Sequence, residues 1–219
     1  MYVPAHFSMT AEQVRTVLES GSAGDLVTVG PDGGPVATYV PMLFEPASPT
    51  GDGLGSLIGH VSRVNDQWRS PGEALFILHG PDDFIEADWL NTPGSANVPT
   101  WNYVTVHVYG RLVVHDDPAW MLAAVQRLSA AHGDASVDAM GTEEVARLLR
   151  AIVGVELVIS RVDGKAKMSQ NKTPAAVAQV IDGLRGSGGE ATAEWMAEHS
   201  LPRAQAKADL LAGIRDRHS

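Results

Sequence analysis

This sequence predicts a mainly β chain, a closed or split β-barrel carrying peripheral helices, on three observations. The first is the stretch 98 to 114, Val-Pro-Thr-Trp-Asn-Tyr-Val-Thr-Val-His-Val-Tyr-Gly-Arg-Leu-Val-Val. In it Val104, Val106 and Val108 point one way while Tyr103, Thr105, His107, Tyr109 and Arg111 point the other, the period-two pattern of a strand packed on at least one face. The second is a set of seven or so short strand-like runs in antiparallel-looking order, joined by hairpin turns. The third is the confinement of helical texture to a few places, chiefly 118 to 152 and everything beyond Lys172.

Taken in order, residues 1 to 9 read as an extended arm, because Pro4 opposes a helix and Tyr2, Val3 and Phe7 offer apolar anchors. Thr10 and Gln13 have the spacing of a capping box, ahead of an apolar stripe at Val14, Val17 and Leu18 that ends at Gly21 to Gly24. Asp25 to Val29 is the first strand. Pro31-Asp32-Gly33-Gly34 is a hairpin turn into a second, Val36 to Phe44. A Gly- and Pro-rich loop at 45 to 56 leads to a short strand, Leu57 to Val61. Ala74 to Leu78 is apolar at every position, as for a strand covered on both faces. A turn at Gly80-Pro81 and a weaker strand, Phe84 to Ala87, follow, then a loop at Asn91 to Asn97. Pro99 cannot donate to a ladder, so the central strand pairs after it, and Gly110 marks a bulge, a bend or a close backbone approach. Helices are expected at Pro118 to His132 and Thr142 to Ile152, and a strand at Gly154 to Val162. The tail reads as helices at Pro174 to Leu184, Thr192 to His199 and Pro202 to Arg215, with a Gly-Ser-Gly-Gly linker at 186 to 189. Residues 1 to 172 thus form the barrel domain and 173 to 219 a helical extension.

Composition narrows the chemistry. Cysteine is absent from the 219 residues, which excludes disulfides, thiolate metal sites and cysteine nucleophiles, and suits a reducing cytoplasm. No signal peptide and no run of membrane-spanning length is evident. Sixteen Lys plus Arg against 26 Asp plus Glu give a formal charge of −10, which opposes a nucleic-acid backbone. Walker loops, dinucleotide fingerprints and His-Glu-x-x-His are missing, and no Ser sits in a nucleophile elbow.

Three stretches gather candidate chemistry. Trp101 and Asn102 lie at the barrel mouth, where they either stack on and hydrogen-bond a planar ligand or plug the barrel and cap a turn. Residues 59 to 68, Gly-His-Val-Ser-Arg-Val-Asn-Asp-Gln-Trp, bring together His60 as a metal or proton ligand, Arg63 as an anion clamp and the Asn65 amide. The alternative is a His satisfied by backbone and an Arg in a surface pair. Residues 164 to 171 place Lys165, Lys167, Ser169 and Gln170 together, either for a phosphate or as an ordinary polar turn.

In these stretches, and in Met-Tyr-Val-Pro-Ala-His-Phe at 1 to 7 and Ala-Ile-Val-Gly-Val-Glu-Leu at 151 to 157, the chain resembles the PaiB-like family of FMN-binding split-barrel proteins, labelled negative transcriptional regulators. The match covers residues 1 to about 185. The resemblance implies a split barrel of the pyridoxamine-phosphate-oxidase and flavin-reductase kind, and a homodimer with FMN between subunits. It makes Arg63, Lys165 and Lys167 phosphate candidates and sets Trp101, Asn102, Ser169 and Gln170 along the ring, with His60 and Asn65 also at the cofactor. A related branch binds haem b and forms nitrogen-nitrogen bonds in making piperazate; His60 matches its iron ligand. Many relatives carry His before the Val-Pro or Leu-Pro pair of the second strand, where this chain has Tyr39. Direct operator binding is disfavoured, since neither a helix-turn-helix nor a basic recognition helix is evident.

Overall fold

The structure, a computed structural model, describes residues 1–20, 23–48, 53–90 and 98–216, with side chains through residue 214. Six strands close an antiparallel barrel: β1 Ala23–Val29, β2 Pro35–Glu45, β3 Ser56–Ser62, β4 Gly72–Ile85, β5 Thr100–His115 and β6 Ile152–Lys167, in the order β1-β2-β3-β6-β5-β4. Closure comes from β1, which pairs with β2 from Ala23↔Pro41 to Val29↔Pro35 and with β4 from Gly24↔Leu78 to Thr28↔Ala74. The helices are α1 Ala11–Glu19, α2 Pro118–Ala131, α3 Thr142–Leu149, α4 Pro174–Ser187, α5 Glu190–Trp195 and α6 Leu201–Asp216, with a π-turn at Met196–Ser200 between the last two. The expected capping box of α1 is present, Thr10 accepting from the Gln13 amide and Gln13 accepting from the Thr10 amide.

The residues fall into two compact units. One holds Met1, Thr10–His79 and Val106–Asp163, and the other Tyr2–Met9, Gly80–Thr105 and Gly164–Ser219. The first is built around Leu26, Met42, Leu57, Phe76, Val106, Val108, Val155 and Leu157, all buried. The second buries Ile85, Leu90 and Val104 with Val177, Val180, Leu184 and Met196 of the tail.

Three elements differ from expectation for physical reasons. Gly80-Pro81 is no turn: β4 runs through it as one strand, which is why there are six strands and not seven. The β1 register on β4 starts beyond that point, at Leu78, so the strand has an edge where a residue without an N–H is tolerated. Ala74 to Leu78 alternates between buried and half-exposed, leaving Leu75 and Ile77 uncovered in the single chain. At the other end, β6 continues past Val162 to Lys167 because the arm supplies a partner, Ser8 bridging to Lys165 and the Met9 N–H donating to the Gly164 carbonyl at 3.3 Å. The arm itself is extended except for a 3₁₀ turn at Ala5–Phe7. The expected loop at 91 to 97 lies outside the described residues, as do parts of the 45 to 56 loop and of the Gly21 to Gly24 helix stop.

Gly110 is where the strand expectation becomes a distance. A Cβ there would lie 2.1 Å from the Val158 carbonyl oxygen on β6, so Gly110→Ala must push β5 and β6 apart. We expect it to cost more than about 2 kcal/mol in urea unfolding. Gly186→Ala, on an exposed part of α4 with nothing within 4 Å, should stabilise by about 0.5–1 kcal/mol. Similar midpoints for the two variants would show that the backbone approach is not rigid.

Candidate functional site

In the barrel unit the three predicted residues have three different environments. His60 sits on β3 opposite Gly154 of β6, half-buried, and its ring forms no ion pair among the described residues. Burial pushes its pKa below the ordinary 6.5, which favours the neutral imidazole, a ring with one lone-pair nitrogen for a ligand and one N–H to donate. Arg63 is committed within the fold. Its Nε donates to the Arg150 carbonyl at 3.0 Å, Nη1 to Asp116 Oδ2 at 3.2 Å, and Nη2 to Asp116 Oδ1 and to the Ile152 carbonyl. The same pair holds the Asp116 carboxyl below its usual range. Asn65 closes the turn after β3: its Nδ2 donates to Thr38 Oγ1 at 2.9 Å and its Oδ1 accepts from the Gln67 amide at 3.0 Å. Buried Gln67 then donates to the Leu26 carbonyl at 2.8 Å.

The other unit brings six predicted residues together around the ends of β5 and β6. Lys167 donates to Thr100 Oγ1 and to the Trp101 carbonyl, and Lys165 lies 5.3 Å from the Tyr103 ring centroid. Desolvation first, then repulsion from Lys165 and Lys172, lowers the Lys167 pKa from its ordinary 10.5. No carboxylate pairs with any of these three lysines among the described residues. Trp101 is 49% exposed, its Nε1 donating to Asp82 at 2.8 Å and its ring 6.0 Å from that of Phe84.

Asn102, Ser169 and Gln170 are buried behind this surface. The Asn102 amide donates to Ser169 Oγ at 3.1 Å and to Met196 Sδ at 3.3 Å, and Ser169 Oγ donates back to Asn102 Oδ1 at 3.2 Å. Gln170 folds onto its own strand end, accepting from the Met168 amide and donating to the Ala166 carbonyl. Ser169 has φ of 59°, the one non-glycine residue with positive φ among those described, and these bonds hold it there. The sequence reading missed Met196, Asp116 and the half-buried His115–Glu156 pair, 2.8 Å apart, whose His115 ring stacks on Trp120 at 3.9 Å. A glycine within the strand, Gly154, is the signal for the last of these: a Cβ there would meet the Trp120 ring at 2.4 Å.

Residues 1–161 match a family model described as "Putative FMN-binding domain". The chain belongs to this family, the PaiB-like FMN-binding proteins. It is 30% identical over 193 residues to the protease synthase and sporulation protein PAI 2 of Bacillus subtilis (strain 168), covering 84% of this chain and 89% of the relative. In fold it is similar to the flavocytochrome Anf3 from Azotobacter vinelandii, at a TM-score of 0.54 and 16% identity over 72% of this chain and 67% of that one. It is similar also to the conserved hypothetical protein Rv2991 from Mycobacterium tuberculosis, at 0.51 and 18% over 78% and 94%. The fold is the split β-barrel of FMN-binding proteins, as the alternation and the resemblance led one to expect, and FMN is the cofactor this PaiB-like membership carries.

The His60 environment has a readable pH signature. Because the folded pKa is the lower one, the unfolded chain takes up the proton first as pH falls, so this residue's contribution to stability is lost from about pH 6.5 downward. Unfolding free energy measured at about pH 7.5 and about pH 5 should drop more in the native chain than in His60→Asn. Equal drops would mean that the imidazole is hydrated in the folded state.

Proposed function

We propose that this chain is a redox protein of the PaiB-like kind that works as a homodimer, with Lys165 and Lys167 holding the FMN phosphate. The observation that carries this is Lys167: a half-buried ammonium whose hydrogen-bond partners are both neutral, crowded by Lys165 and Lys172. Such a cation lacks a countercharge, and a phosphate dianion supplies one through charge-assisted hydrogen bonds. Trp101 offers an exposed aromatic face for a planar ring. Asn102, Ser169 and Gln170 act behind these groups, fixing the strand ends that carry them. When bound, FMN supplies one- and two-electron transfer. Phosphate binding raises the Lys167 pKa, so affinity weakens as pH climbs toward 10.5.

The homodimer reading rests on the outer face of β4, β1 and β2. Val29 is 58% and Tyr39 69% exposed there, beside half-exposed Val27, Leu75 and Ile77. The sequence makes residues 74 to 78 of β4 apolar on both sides, which suits a second copy as cover. The likeness to the Bacillus protease synthase and sporulation protein PAI 2 supports a role in control of such processes, and a net charge of −10 favours an indirect effect over operator binding. Absence of cysteine suits the cytoplasm, and no helix among the described residues is long and apolar enough to cross a membrane. A second reading, haem b with His60 as axial ligand, is favoured by that imidazole's neutral state; in it a Soret band formed on haemin addition disappears in His60→Ala.

The phosphate assignment is separable from flavin binding as such. In fluorescence titrations Lys167→Met should bind FMN on the order of a hundredfold more weakly than the native chain, while riboflavin, which has no phosphate, binds both equally. A variant that loses riboflavin to the same degree, or keeps FMN, would remove the phosphate from Lys167. Ile77→Asp should sediment as a monomer where the native chain sediments as a dimer; an unchanged mass places the interface elsewhere.

A further inference from the structure

The barrel unit contains a cleft of about 590 Å³ between α2 and α3 that the flavin reading does not use. Its size falls within the range of about 300–1,000 Å³ typical of small-molecule sites. Met121, Leu122, Val145, Ala146 and Leu149 form its walls, and no aromatic ring among the described residues lines it. The walls offer nothing on which a flavin or nucleobase could stack, and they suit a flexible hydrocarbon.

The polar end is also specific. Arg63 and Asp116 both line it and neutralise each other. Arg150 lines it too, with its carbonyl fixed by Arg63 Nε at 3.0 Å. On the adjoining surface Glu144 is paired with Arg147, and Arg150 has no ion-pair partner among the described residues. The cleft therefore joins aliphatic walls to Arg150, an arginine without an ion-pair partner among the described residues, whose donor fork matches a carboxylate.

We propose that the α2–α3 cleft is a binding site for a medium-chain aliphatic carboxylate, its chain among Met121, Leu122, Val145 and Leu149 and its carboxylate on Arg150. The site lies wholly within one unit and is independent of the flavin assignment.

The test is a titration of the full chain, carrying ¹³C-methyl methionine, with sodium octanoate and separately with octan-1-ol. The Met121 methyl resonance should shift saturably with octanoate, and on the order of tenfold higher concentrations should be needed for octanol or in Arg150→Gln. Ala146→Phe, a filling substitution at an exposed helix position, should abolish the shift. Three results would each overturn the proposal: a Met121 signal that octanoate leaves unmoved, octanol or Arg150→Gln matching native octanoate binding, or binding that survives Ala146→Phe. Arg150 is exposed, so its variant keeps the fold and the charge test stands even if Ala146→Phe does not fold.

Discussion

Two-residue alternation along the strands is the constraint on which the rest of the molecule depends, because each buried side chain commits its neighbours to the opposite face. Burying Val106 and Val108 on β5 turns His107 and Tyr109 outward. At the end of β6, burying Ala166 and Met168 does the same to Lys165 and Lys167. The lysines therefore face the way they do because the apolar residues between them have only one favourable side. A one-residue slip would bury two ammonium groups and expose a methionine that is fully enclosed.

That constraint also explains which features of the fold could be read from sequence. Alternation is local, so the core valines of β5, the strand β2 after its Pro-Asp-Gly-Gly turn and the capping box at Thr10 were legible. What ends a strand is not local. Pro81 looks like a breaker until the pairing of β1 stops short of it, and Gly164 looks like a turn until Ser8 and Met9 arrive from the arm. The same limit applies to the site. The residue types at 63, 165 and 167 announce positive charge, but whether a cation is already neutralised depends on residues such as Asp116, 53 positions away from Arg63.

The tail shows how a region outside the family match can support residues near it. Holding Ser169 at φ of 59° costs about 1–3 kcal/mol. Its reciprocal hydrogen bonds with Asn102 offset this, and Met196, at the start of the π-turn, takes the remaining amide proton. A π-turn widens the helix locally and re-aims a side chain, and here the Met196 sulfur meets Asn102. Asn102 lies between Trp101, whose carbonyl holds Lys167, and Tyr103, whose ring faces Lys165. Residues 190 to 200 thus bear on the lysine pair through Met196 and Asn102.

Compensation, more than charge alone, separates a cation spent on the fold from one left open in this chain. Arg63 spends its fork on a carboxylate and two carbonyls, which ties the start of β6 and Asp116 to the end of β3 and leaves little capacity for an anion. Lys167 has only a hydroxyl and a carbonyl, and its lowered pKa reflects a charge that the protein does not balance. On a chain of net charge −10, the long-range field repels a phosphate, but that field is screened beyond about 8–10 Å at physiological ionic strength. Inside that distance the unbalanced lysines dominate. An acidic protein can therefore hold an anionic cofactor tightly while turning away a nucleic-acid backbone, whose many phosphates must approach the whole surface at once.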